Sequence, residues 1–119
     1  MFATGFLLAL FSTMIASQPV FQPAPAVLHG VTLTNETLTI EVTDCGCTDV
    51  DHFSLLVENV PKGTRELTVL RLRPDWCEAV PRLVQFQYDR QGRLRNSSFV
   101  LRNELRPFEE SSDACREGF

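Results

Sequence analysis

The chain has 119 residues, 44% of them hydrophobic, and a formal net charge of −4. That length is one domain's worth, enough for a core of its own. Aromatics are thinly interleaved among the bases, which argues against a nucleic-acid partner.

Residues 1–17 read as a secretory signal peptide. Their apolar run, 5–16, falls short of the roughly 20 residues a membrane-spanning helix needs, and Gln18 and Pro19 close it. The only cation ahead of the run is the terminal amine. Ala16 and Ser17 suit a cleavage site, and Ala24, Pro25 and Ala26 offer a second one of A-x-A type. The expected location is secreted or periplasmic, with no membrane span after cleavage. Residues 18–30 hold Pro19, Pro23 and Pro25 and are predicted to be an extended linker. That leaves 31–119 as a single β-domain with an acidic C-terminal tail.

From Val31 the pattern changes. Val31, Leu33, Leu38, Ile40 and Val42 alternate with Thr32, Thr34, Thr39, Glu41 and Thr43, which predicts strand with one wet face. Asn35 and Glu36 mark either a turn or a bulge in one long strand. A polar loop follows over 44–51. Phe53, Leu55 and Val57 alternate again, and Pro61 and Gly63 predict a turn. Residues 67–73 predict a strand buried on both faces. Pro74 and Pro81 bracket a segment that allows one or two helical turns at most. Val84, Phe86 and Tyr88 predict a further strand, and a turn at 89–92 predicts a hairpin returning through 94–101. The predicted fold is all-β: a small antiparallel sandwich or barrel of five to seven short strands, with at most one short helical turn.

Four cysteines stand out: Cys45, Cys47, Cys77 and Cys115. In an oxidising compartment they predict two disulfides. A bridge between Cys45 and Cys47 would close too tight a ring. Each therefore reaches out, one to Cys77 and one to Cys115, in an order the sequence leaves open. The competing use is metal binding. Cys45 and Cys47, joined by His52, offer soft ligands for Cu(I) or Zn(II) at C-x-C spacing. Asp44, Asp49 and Asp51 flank the same loop, but their spacing is not that of an EF-hand, so a solvated acidic loop is expected.

Arginine outnumbers lysine ten to one. Arg71 with Arg73, and Arg93 with Arg95, each share a strand face by parity. If those strands are neighbours, the four make a cationic patch for a protein or an anionic surface ligand. The competing reading is ordinary surface pairing with nearby acids. Trp76, beside Cys77, is either core against a disulfide or an anchor for a partner. Asn35 and Asn96 begin glycosylation sequons. No nucleophile elbow, phosphate-binding glycine loop or paired-carboxylate cleft is evident, so no enzyme activity and no cofactor are expected. These features predict an exported, non-catalytic binding module, an enzyme inhibitor being one form of it. The alternative is a periplasmic metal-binding protein built on the Cys45-Gly46-Cys47 loop.

Overall fold

A computed structural model describes residues 21–61, 63–90, 98–111 and 115. Its strands are β1 (Ala24–Pro25), β2 (Gly30–Leu33), β3 (Thr37–Asp44), β4 (Phe53–Asn59), β5 (Arg65–Arg71), β6 (Arg82–Asp89) and β7 (Val100–Leu101). A 3-10 turn, Val50–His52, precedes β4. The chain is all-β, as its alternating pattern predicts, and forms two sheets in a sandwich-like arrangement.

One sheet has the order β2-β3-β6 and is antiparallel throughout. The β2–β3 link is a true turn. Thr34 and Thr37 bond across it through backbone and hydroxyls, and the Thr34 hydroxyl also accepts the amides of Glu36 and Thr37. Asn35 is exposed in that turn. In β3, Leu38, Ile40 and Val42 face inward, and the register sets them against Tyr88, Phe86 and Val84 of β6.

The second sheet centres on β5. β4 pairs with one of its edges along its full length, Phe53 opposite Arg71 and Asn59 opposite Arg65. β1 and β7 divide the other edge between them. β1 pairs with Leu70 and Arg71, and β7 pairs, in parallel, with Glu66 and Leu67. Between these two short pairings the buried Asn103 side chain takes the place of a strand. Its Oδ1 accepts the Val69 amide at 2.7 Å, and its Nδ2 donates to the carbonyls of Ala26 and Val69. A side-chain amide carries the donor and acceptor of a peptide group, so β5 loses no hydrogen bond at the break.

The inner faces of both sheets meet in one core of Ala26, Leu28, Leu38, Ile40, Val42, Phe53, Leu67 and Val69. The Phe53 and Phe86 rings lie 5.9 Å apart across it. This burial supplies the main drive for folding, at roughly 25 cal/mol per Å² of apolar surface covered.

Two expectations change. Residues 24–30 are not a linker, since Ala26 and Leu28 are core and β1 is part of a sheet. Proline is tolerated there because a two-residue edge strand asks little of the missing amide. The end of the predicted hairpin return, Val100 and Leu101, does not pair with β6. Part of that hairpin, 91–97, lies outside the described residues, but Val100 and Leu101 belong to β5 in the other sheet. Residues 74–80 are irregular, within the expected limit of one or two helical turns at most.

Tyr88 connects β6 to the 3-10 turn by donating its hydroxyl to the Val50 carbonyl at 2.6 Å. Burial, together with the negative charges of Asp51 and Asp49, pushes its pKa up to about 12. Only the neutral phenol can donate this bond. Stability from Tyr88 is thus full below the ordinary value of 10.0 and is lost as pH rises through about 12. Tyr88 is the only tyrosine. An ultraviolet titration should show no tyrosinate at pH 10 in the folded protein, and substantial ionisation there once urea unfolds it.

Candidate functional site

At one end of the sandwich the loops 44–48 and 73–81 are fastened to each other. All four cysteines are paired: Cys47 with Cys77 and Cys45 with Cys115, at Cα separations of 5.6 and 5.9 Å. The expectation of two disulfides holds, and the structure supplies the pairing that the sequence left open.

Asp75 is the hub of this end. It is 1% exposed. Its Oδ2 accepts the amides of Cys45 at 2.8 Å and Cys47 at 3.1 Å and the Thr48 hydroxyl at 2.6 Å, while Oδ1 accepts the Cys77 amide at 3.0 Å. Burial pushes this carboxyl up. The hydrogen bonds from Thr48, Cys45, Cys47 and Cys77 together outweigh burial and hold it below its ordinary value. Asp44, at the end of β3, does similar work. Its Oδ1 accepts the amides of Gly46 and Thr48, and its Oδ2 accepts Arg82 Nε at 2.8 Å. The Ala79 amide donates to the Cys45 carbonyl.

Gly46 lets the two loops approach. Its φ is +113°, and an added Cβ would meet Ala79 Cβ at 3.0 Å and Cys77 Cβ at 3.2 Å. Both the backbone angle and the space require glycine here.

Arg71 is a correction to the cationic patch. It is 4% exposed, so it is not a surface contact. Its Nη2 donates to the Thr48 hydroxyl at 2.7 Å, its Nε donates to the Arg73 carbonyl, and its guanidinium sits 5.2 Å from the Phe53 ring centre. Burial lowers its pKa, and the charges of Asp75 and Asp44 work against that fall. Parity explains the burial: Arg71 shares its face of β5 with Leu67 and Val69, the core face. Arg73 lies past the strand end and is exposed, while Arg93 and Arg95 lie outside the described residues.

Cys45, Cys47 and His52 are not brought together as a ligand set. The sulfurs go to different partners, and His52 Nδ1 accepts the Asp49 amide at the start of the 3-10 turn. Asp49 caps that turn through the Val50 amide. Among the described residues one group of metal-type atoms does converge, Cys47, Cys77 and Asp75, all within 4.8 Å. Its two sulfurs are bonded to each other, so neither is available as a thiolate while the bridge is intact. His29 is also structural. It bonds the Arg106 carbonyl through Nδ1 and the Thr43 hydroxyl through Nε2. A carbonyl only accepts, so Nδ1 carries the proton.

Trp76 stands at the tip of this fastened loop, 82% exposed, and Val80 on the same loop is 80% exposed. The core reading of Trp76 does not hold; the anchor reading keeps its geometric requirement. Sequence reasoning gave Asp75 no role in the site. Its position two residues before Cys77 was the available signal, since an aspartate there can accept the amide two residues on. The chain shows no significant similarity to any protein-family model, to any curated protein or to any solved structure.

Proposed function

We propose that this chain works outside the cytoplasm as a non-catalytic binding module and meets a protein partner through the 74–81 loop. The observation that carries the reading is Trp76, 82% exposed on a loop that a disulfide and Asp75 hold in place. Tryptophan is the residue type most enriched at binding hot spots. A loop already fixed loses little conformational entropy when a partner covers it. Two disulfides support a location where thiols are oxidised. Arg73 adds an exposed cation near the loop.

Trp76 is the only tryptophan, so its fluorescence reports this site alone. The free protein should emit as a solvated indole, with a blue shift once a partner covers the ring. A partner retained from extracytoplasmic extract by the immobilised protein should bind about a hundredfold more weakly to Trp76→Ala. The variant should unfold within about 0.5 kcal/mol of the parent, as an exposed substitution does. Retention unchanged by Trp76→Ala and Val80→Ser would remove the loop from the interface. The mature N-terminus is expected ahead of Ala24, because cleavage after Ala26 would take β1 from the sheet. Intact mass of the exported protein tests this directly.

A further inference from the structure

Building on that reading, we infer that the loop is a protease-binding loop, and that its reactive bond is the Trp76–Cys77 peptide, presented to a serine protease whose primary pocket accepts an aromatic side chain. The exposed indole is the group such an apolar pocket takes. What sets this peptide apart is how both of its ends are held. On the carbonyl side, Trp76 follows Asp75, whose carboxylate accepts from Cys45, Cys47 and Thr48 in the opposing loop. On the amide side, Cys77 is bonded to Cys47, and its nitrogen lies 3.0 Å from Asp75 Oδ1.

The chemistry follows from that geometry. The protease serine oxygen adds to the Trp76 carbonyl carbon and gives its proton to the protease histidine. The C–N bond to Cys77 breaks, the histidine passes that proton to the departing nitrogen, and Trp76 becomes an ester of the enzyme. From an ordinary substrate the amine fragment diffuses away and water hydrolyses the ester. Here the amine is the Cys77 nitrogen, kept beside the ester by the disulfide and facing the Asp75 carboxylate. Held at that high effective concentration it attacks the ester, remakes the peptide bond and returns the serine. Binding is then tight and net hydrolysis slow. Hydrolysis, when it occurs, adds one water and leaves both new ends attached to the fold.

The test uses the mature, fully oxidised chain against chymotrypsin, trypsin and elastase as probe proteases. Chymotrypsin should be inhibited stoichiometrically, and Trp76→Ala should weaken inhibition about a hundredfold. Trp76→Lys should lose chymotrypsin and gain trypsin, a transfer that a merely structural residue would not produce. The side chain is exposed, so both variants are expected to fold, and mass after alkylation without reduction confirms their bridges. Prolonged incubation should give slow conversion to a species heavier by one water, cut between Trp76 and Cys77. Rapid, complete cleavage without inhibition would overturn the inference, as would indifference of all three proteases to the parent and the Lys variant. If the proteases are indifferent while another protein shifts Trp76 emission, this inference falls and the binding-module reading stands. If no protein shifts that emission, both fall.

Discussion

Replacing Asp75 by alanine is expected to destabilise the protein by about 3–5 kcal/mol, the range for stripping a buried charge from its partners. The substitution leaves the amides of Cys45, Cys47 and Cys77 and the Thr48 hydroxyl without their acceptor. It also removes the larger of the two opposite charges that offset the burial of Arg71. Asp75→Asn should cost less, because the amide oxygen still accepts while its NH₂ faces donors. Urea unfolding of the three proteins measures the order directly. A loss below 1 kcal/mol in the alanine variant would mean that water takes over the carboxylate's bonds and that Asp75 is not the hub. The same group sets an acid limit. Its folded pKa lies below the ordinary value of 3.8, so its contribution is complete above that value and disappears as pH falls through the lower, folded one. Acid unfolding of the parent should therefore begin only below about pH 4, and the alanine variant should lack this part of the pH dependence.

Removing either disulfide is the second large effect. The bridges join residues 30 and 70 positions apart. Chain-entropy arguments give about 4 kcal/mol for each, slightly more for the longer loop. A domain of this size has only about 5–15 kcal/mol in total, so losing both should leave no folded state at 37 °C. The single losses should differ in where they act. Without Cys47–Cys77 the 74–81 loop keeps only its hydrogen bonds, and hydrogen exchange there should rise while β3 and β6 stay protected. Without Cys45–Cys115 the far C-terminus is released, and exchange in the 74–81 loop should stay close to that of the parent. Because Asp75 touches three cysteine amides, Asp75→Ala and the Cys47–Cys77 deletion should not be additive. Uniform loss of protection through the whole sandwich in the Cys47–Cys77 variant would show the bridge to be global rather than local.

Much of the sandwich is legible from alternation alone. Leu38, Ile40 and Val42 repeat every second residue, as do Val84, Phe86 and Tyr88, and these are the facing pairs of β3 and β6. What misleads is local composition read without its surroundings. Three prolines make 18–30 resemble a linker, yet an extended chain is also what an edge strand needs, and Ala26 and Leu28 are apolar. The turn residues at 89–92 invite a hairpin, but pairing of 100–101 is decided by the free edge of β5, which no short-range signal reveals. Arg71 was legible after all: the parity that sets Arg73 beside it also sets Val69 there. Asp75 and Trp76 were legible only in part: Asp75 stands two residues before Cys77, and the anchor reading of Trp76 stood beside the core one. A buried acid and an exposed tryptophan reverse the usual preferences of their types.

Asn103 and its neighbours also bear on when this protein can fold. Leu28 donates its amide to the Glu104 carbonyl and accepts the Arg106 amide, and Asn103 reaches the Ala26 carbonyl. The earliest and latest parts of the sandwich thus complete one edge together, after everything between them has been made. Loop closure over that span is slow compared with local contacts. A ribosome still holding residues 100–106 therefore holds an unfinished sheet, with β5 open along one side. Such a chain cannot close that edge until residues 100–106 are free to reach Ala26 and Leu28.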